Sequence, residues 1–265
     1  MMRLGRDSIF GIWHLLAADN DGLVPIRVLS GPGRGLRLRL NLLSGLETGY
    51  LYGTYEREVV SRLPDFVRPG MAVWDCGCYL GYYTAIFSRL VGPSGKVAAV
   101  EPDPANMKRI RLHAAINGLD NLVFVPTALG TGERVNFVVS GNTNSHISGS
   151  WIGATESGYA DREVFKSAVD MKSESLDSLL ELPNVPKPDV VKIDIEGFEH
   201  IAIKHAKKLM TEVRPTIVLE LHNPLCDEAA WEFSQKWNCR IRSIATGEEL
   251  TRRTDVHGTV LLTPR

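Results

Sequence analysis

The stretch Val73-Trp74-Asp75-Cys76-Gly77-Cys78-Tyr79-Leu80-Gly81-Tyr82-Tyr83-Thr84 decides the fold. It reads as the end of a buried strand, a tight glycine loop and the first turn of a helix. Such a turn presents backbone N–H groups and a helix N-terminus to a small ligand. The spacing is Asp-x-Gly-x-x-x-Gly, not Gly-x-Gly-x-x-Gly. It lacks the middle glycine that lets a backbone approach a dinucleotide's pyrophosphate, and it sets the carboxylate of Asp75 where phosphates would sit.

Downstream of this turn, apolar runs and helical stripes alternate. Residues 71–76 form a near-continuous apolar strand, as a sheet covered on both faces requires. Tyr83, Ile86, Phe87, Leu90 and Val91 share one helical face, and Gly92-Pro93-Ser94-Gly95 stops that helix. Strands follow at 96–100 and 122–125, separated by a helix that ends at Asn117-Gly118. Residues 133–139 resemble another strand, and 140–163 are rich in Gly, Ser, Asn and Thr, which suits a functional or mobile loop. The alternation resumes with a helical segment at 176–182, then a strand at 189–194. The next helix buries Phe198, Ile201, Ala202, His205 and Leu209. Strands at 216–221, 239–244 and 259–262 complete the set, with a helix at 228–237. This order predicts an α/β fold, a doubly wound, mostly parallel seven-stranded sheet.

Upstream, residues 24–29 and 36–42 read as two strands of an N-terminal β/α lead-in. The second alternates Leu36, Leu38 and Leu40 against Arg37, Arg39 and Asn41, the pattern of a half-buried antiparallel strand. A helix carrying Val59, Val60 and Leu63 follows, with Thr54 as its cap and Glu56 in its first turn. Residues 1–63 are therefore read as a lead-in packed on a core domain of residues 64–265, with an insertion at 133–175.

The 265 residues, 44% hydrophobic and 23% charged, suit a globular domain, and a net charge of −1 gives no electrostatic footprint for nucleic acid. The apolar run 9–18 is too short to span a bilayer, so no transmembrane segment is expected, and a surface helix is preferred to a signal segment. Cys76, Cys78, Cys226 and Cys239 show no paired Cys-x-x-Cys spacing. They are read as packing residues in a reducing, cytoplasmic compartment.

In doubly wound sheets ligands bind beyond the carboxyl ends of the strands. Here those ends carry Asp75 and Gly77, Glu101, Thr127, Asp194 and Glu196, then Glu220 and His222. Glu101 is placed to accept bonds from ribose hydroxyls. Asp75 suits an α-amino group or sulfonium, so the cofactor expected is S-adenosylmethionine rather than a nicotinamide dinucleotide.

Residues 73–84, Glu101-Pro102, Val191-Lys192-Ile193-Asp194-Ile195-Glu196-Gly197-Phe198-Glu199 and Ile217-Val218-Leu219-Glu220 resemble the motifs of FkbM-type methyltransferases. Gly53-Thr54-Tyr55-Glu56 and Ser175-Leu176-Asp177-Ser178-Leu179-Leu180 also match that family's pattern. The resemblance spans roughly residues 27–222. It implies a class I methyltransferase fold, S-adenosylmethionine as donor, and methylation of a hydroxyl on a sugar, glycolipid or secondary metabolite. The family's loop commonly reads Asp-x-Gly-Ala-Asn-x-Gly; this chain has Cys78 and Tyr79 in the Ala and Asn places.

The donor site is accordingly expected to draw on Tyr55, Glu56, Asp75, Gly77, Cys78, Gly81, Tyr83, Thr84, Glu101, Pro102, Asn106, Thr127, Ala128 and Asp194. His222 is the first candidate base because an unperturbed histidine titrates near neutrality, with Asp194 and Glu196 as alternatives. His146 lies in a loop that could touch acceptor. Asp194, Glu220, His222 and Asn223 could converge on a divalent cation, but spacing across two strand ends is permissive rather than diagnostic, and no metal is assigned to the site. Two other functions fit the same sequence: a non-catalytic cofactor-binding module with a protein partner, and a nucleic-acid methyltransferase. The expected partner is a small-molecule or glycan hydroxyl acceptor, with no nucleic acid. The acceptor's identity and the oligomeric state are not encoded in any recognisable motif.

Overall fold

The computed structural model describes residues 18–19, 21–140, 146–147 and 165–265. Apolar residues 9–17, and all of 148–163 in the polar tract, lie outside this set, so the readings of those segments are not addressed by it. Of His146 only the backbone is described.

Two strands, β1 (Val24–Arg27) and β2 (Arg37–Leu40), pair antiparallel with Ile26 opposite Leu38. Helix α1 (Gly45–Tyr52) follows, capped by the Ser44 side chain, which accepts the Glu47 N–H, and closed by Gly53 in the left-handed conformation. The expected helix next to it is a single turn, α2 (Arg57–Val60). Its N-cap is Glu56, itself left-handed at φ 40°, and not Thr54. Thr54 is spent on the preceding helix, where its N–H bonds the Gly49 carbonyl.

The core strands are β3 (Ala72–Cys76), β4 (Lys96–Val100) and β5 (Leu122–Val125), linked by α3 (Tyr82–Val91) and α4 (Pro104–Asn117). Asp103 caps α4 by accepting the Ala105 and Asn106 N–H groups. A smaller sheet follows, made of β6 (Ala128–Leu129), β7 (Arg134–Ser140), β8 (His146–Ile147) and β9 (Phe165–Glu174), in the order β6-β9-β7-β8. Strand β9 is absent from the sequence reading. Its Lys172, Ser173 and Glu174 carry little strand propensity, and pairing to β7 forms it instead.

The chain then re-enters the main sheet. Helix α5 (Leu176–Leu179), capped by Ser175, leads to β10 (Val190–Ile193). The single helix expected after β10 is broken into α6 (Glu199–Ala202), a 3-10 turn at Ile203–His205 and α7 (Lys207–Glu212). The break rotates His205 outward: it is exposed, while Ile203 and Ala206 are buried. The core position expected for His205 is therefore corrected. Next come β11 (Thr216–Leu221), α8 (Pro224–Lys236), β12 (Cys239–Ser243) and β13 (Gly258–Pro264).

The seven-stranded sheet has the order β12-β13-β11-β10-β3-β4-β5. Strands β11, β10, β3, β4 and β5 run parallel, and β13 is antiparallel to both β11 and β12. The fold is thus the α/β, Rossmann-like one expected. Side-chain alternation splits its core: Val73, Val97, Val190 and Val218 join one cluster, and Trp74, Ala98, Val191 and Ile217 the other. The β1–β2 hairpin contributes Ile26, Leu38 and Leu40 to the first cluster, so the lead-in closes one face of the sheet. Trp74 is fully buried and its indole N–H bonds the Pro186 carbonyl at 2.7 Å.

Candidate functional site

Gly77, at the end of β3, holds φ 79°, and a Cβ there would lie 1.8 Å from the Asp194 carbonyl oxygen. Its glycine is required because the loops after β3 and β10 touch. That crossing sets the two motifs read from the sequence side by side.

On the β3–β4 side, Glu101 is almost fully buried. Its Oε2 accepts the Tyr79 N–H at 2.9 Å, and its Oε1 accepts the Asp103 N–H at 2.9 Å and an Asn106 amide N–H at 3.3 Å. Burial pushes the Glu101 carboxyl up to about 8 despite these bonds. Asp75 is fully buried. Thr84 Oγ1 donates to its Oδ2 at 2.5 Å, while Oδ1 has no hydrogen-bond partner among the described residues. Burial also raises the Asp75 carboxyl, opposed by the charge of Lys192. Tyr79 takes φ 48°, the left-handed region that favours Asn over Tyr.

On the β10–β11 side, Lys192 is a buried ammonium in an otherwise apolar strand. It lies 2.8 Å from Asp194 Oδ2 and 4.5 Å above the Tyr83 ring. Burial would strip its proton, but Asp194 and Asp75 outweigh that and hold it charged. The Asp194 carboxyl is pulled low by Lys192 and His222 against the cost of burial. Burial, then the charge of Asp194, pushes Glu196 up to about 7 and Glu220 up to about 9. Glu196 also has a left-handed backbone, φ 57°, of the kind found where function fixes a loop.

His222 does not fit its expected near-neutral titration. Burial lowers it, but the hydrogen bond and charge of Glu199 and the charges of Asp194 and Glu196 carry it up to about 10. It is therefore held as an imidazolium. Glu199, fully buried, organises this side: its Oε1 accepts the N–H groups of Ile195 at 2.8 Å and Gly197 at 3.2 Å and lies 3.0 Å from His222 Nδ1, while Oε2 is 3.2 Å from Cys226 Sγ. Asn223 is taken from any ligand role by two duties. Its Oδ1 caps α8, and its amide donates to the Gly197 carbonyl.

These groups surround a cavity of about 240 Å³. Of the residues expected at the donor, Tyr55, Asp75, Gly77, Cys78, Tyr83, Glu101, Pro102, Asn106, Thr127, Ala128 and Asp194 line it. Glu56, Gly81 and Thr84 do not line it. Glu56 accepts the Tyr83 hydroxyl at 2.5 Å, Thr84 holds Asp75, and Gly81 starts α3 at φ 78°. Glu196 lines the cavity, whereas His222 and Glu220 stand beside Asp194 outside the lining.

Sequence reasoning missed Glu199, Lys192 and the aromatic wall of Tyr50, Tyr79 and Tyr82. A charged residue inside Val190-Val191-Lys192-Ile193 was the available signal for Lys192. For Glu199 the signals were its place in the first turn after a strand-end loop and at the end of the stretch that resembles the FkbM-type motif. The wall had no spacing signal, since Tyr50 arrives from a helix far upstream.

The unpartnered Asp75 Oδ1 and the buried Glu101 on one cavity wall fit a donor carrying an ammonium, a sulfonium and a ribose. Asp75 would hold the cationic end and Glu101, framed by Asn106, the ribose.

Residues 75–238 match the family described as the methyltransferase FkbM domain. The chain is 26% identical over 168 residues to a hexuronic acid methyltransferase, AglP, of Haloferax volcanii, covering 63% of this chain. It spans about six-tenths of that relative, 62% of its length. Among solved structures, an FkbM methyltransferase from Methylobacillus flagellatus matches at 14% identity and a TM-score of 0.43, over 96% of this chain and 57% of that one. Aeropyrum pernix fibrillarin, with natively bound S-adenosyl-L-methionine, matches at 10% identity and a TM-score of 0.43, over 74% and 67% of the two chains.

Proposed function

Because the chain belongs to the FkbM methyltransferase family, with S-adenosylmethionine as methyl donor, we propose that it methylates a hydroxyl oxygen of a sugar-type acceptor. The observation that carries this reading is a single cavity with two unlike walls. Asp75 and Glu101 line one, and Asp194 and Glu196 the other. The likeness to a hexuronic acid methyltransferase supports a carbohydrate acceptor.

The bound donor supplies an electrophilic methyl carbon on a sulfonium. The acceptor oxygen forms the new C–O bond as the S–C bond breaks, and the hydroxyl proton passes to a carboxylate. Glu196 is assigned that role because it lines the cavity in a fixed, left-handed backbone. Asp194, held by Lys192, orients the reacting groups, and His222 acts as a charged neighbour rather than the base. Excluding water and fixing approach supplies much of the acceleration, on the order of 7–11 kcal/mol at best. Among the described residues no helix is long and apolar enough to cross a membrane. All four cysteines are free and buried, which supports a reducing, cytoplasmic setting.

The test is transfer of labelled methyl from S-adenosylmethionine to a panel of neutral and uronic-acid oligosaccharides, with RNA and protein as controls. An alkali-stable label on a sugar is the expected result, since a methyl ether survives mild base and a methyl ester does not. Label on RNA, or donor binding without transfer to any acceptor, would overturn the reading in favour of a nucleic-acid enzyme or a binding module.

A further inference from the structure

We propose that Asp194 Oδ1, Glu220 and His222 Nε2 form a binding site for one divalent cation at the acceptor edge of the cavity. One ligand atom from each of the three lies within 4.8 Å of the others. His222 Nε2 stands 3.6 Å from Asp194 Oδ1 and 4.0 Å from Glu220 Oε1. These separations are too long for hydrogen bonds. They match neighbouring ligands of one ion, which at bond lengths of about 2.1 Å sit roughly 3–4.2 Å apart.

Two further observations point the same way. The first is the state of the histidine. Its Nδ1 is engaged by Glu199 at 3.0 Å, and Glu199 is itself fixed by two backbone N–H groups, so the imidazole is locked with Nε2 toward the carboxylates. A carboxylate on the far nitrogen is the usual support of a metal-bound histidine. The second is an orphan: Glu220 Oε2 is buried with no donor to it among the described residues, and the hydrogen bond its side chain shares is with the carboxyl of Asp194, which sets carboxyl oxygens of both residues together. Lys192 does not fill this place, because it engages Asp194 through Oδ2 and leaves Oδ1 facing the histidine.

Charge supports the same assignment. Asp194, Glu196, Glu199 and Glu220 all stand within 4.0 Å of His222, and Lys192 is the cation paired with them. Four carboxyl groups crowd one ammonium and one imidazole there, and a divalent ion would bind in place of the protons those groups otherwise share. Two oxygens and one nitrogen suit a borderline ion such as Mn²⁺ better than a thiolate-seeking one. A cation here would bind vicinal oxygens of the acceptor and hold them at the cavity mouth; that role, unlike the binding itself, rests on the methyl-transfer reading.

The experiment needs neither acceptor nor catalysis. Mn²⁺ alone is titrated into the donor-free protein while the free-ion electron paramagnetic resonance signal is followed. One saturable site is expected, with nitrogen modulation of the bound-ion signal from the imidazole. Affinity should fall by about tenfold or more in Glu220→Gln, and the modulation should vanish in His222→Gln. Donor binding by calorimetry, which uses the other wall, monitors the folding of both variants. No saturable binding at millimolar Mn²⁺, a wild-type signal without nitrogen modulation, or unchanged binding in both variants would overturn the site. None of these outcomes bears on whether a sugar hydroxyl is methylated.

Discussion

The two walls of the cavity are built on opposite principles. On the β3–β4 wall the carboxylates are held by neutral donors: Glu101 by two backbone N–H groups and an amide, Asp75 by the Thr84 hydroxyl. On the β10–β11 wall ionisable groups face one another, with Lys192, Asp194, Glu196, Glu220 and His222 in mutual reach. A wall of short local bonds makes a fixed template, suited to a ligand that is the same in every turnover. A wall of opposed charges responds to whatever enters, because each added charge changes the balance of all the others. The first belongs to a donor, the second to an acceptor and its activation.

The sharpest way to break this contrast is through Glu199, whose hydrogen bonds among the described residues all go to the charged side, to Ile195, Gly197, His222 and Cys226. Glu199→Ala leaves two N–H groups and the His222 imidazolium without their buried acceptor. Loss of one partner of a buried ionic network costs about 3–5 kcal/mol. Urea unfolding should show that loss, and donor affinity measured below the transition should change little. Equal loss of donor affinity would mean that the walls are one cooperative unit.

Next in size is Asp75→Asn. It replaces the carboxylate whose Oδ1 is unpartnered with a neutral amide while keeping the bond partner Thr84 in place. A charge-assisted hydrogen bond contributes about 1.5–3 kcal/mol, so donor binding by calorimetry should weaken roughly 10- to 100-fold. Donor affinity unchanged by the substitution would remove Asp75 from the site.

How much of this was legible beforehand divides along the same line. The donor wall is written in one continuous loop and one strand end, so Asp75, Gly77 and Glu101 could be read from local spacing. Even there the reason for Gly77 was hidden, since the atom it avoids belongs to Asp194, far along the chain. The charged wall depends on which strands become neighbours. The pairing of β10 with both β3 and β11 brings Lys192 beside Asp75 and His222 beside Glu199, and no sequence window contains those pairs. His222 shows the consequence. As a residue type it promised a neutral base, and three carboxylates of the loop and helix start at 194–199, distant from it in the chain, make it a cation. The fold itself was legible because two-sided burial of parallel strands leaves a period that local inspection detects, apart from β9, whose polar sequence is strand only by partnership.

Glu101 offers a smaller effect with a definite sign. Its folded-state carboxyl is raised from 4.5 to about 8, so the folded protein holds its proton more tightly than the unfolded chain. The associated stability is fully present below pH 4.5 and is lost as pH rises through about 8. In the donor-free protein the melting temperature should therefore fall by a few degrees between pH 6 and 9, and Glu101→Gln, which stays neutral, should flatten that slope. An identical slope in the variant would assign the pH dependence to another group.

The smallest effect expected concerns the one irregularity in the donor wall. Tyr79 sits at φ 48°, where a Cβ-bearing residue is strained by about 1 kcal/mol and Asn is relieved by its short polar side chain. Its N–H is the one that bonds Glu101, so the backbone must stay where it is whatever side chain it carries. Tyr79→Asn should therefore raise stability by roughly 0.5–1 kcal/mol and leave the loop geometry unchanged. The gain is modest because the tyrosine ring also lines the cavity and packs against the first core cluster, contacts that the amide gives up. If the variant is instead less stable, ring packing outweighs backbone strain, and the tyrosine is retained in this loop for what it contacts rather than tolerated despite its conformation. Donor affinity separates the two cases further: strain relief alone leaves it unchanged or tightens it, whereas loss of a ring that contacts the donor weakens it.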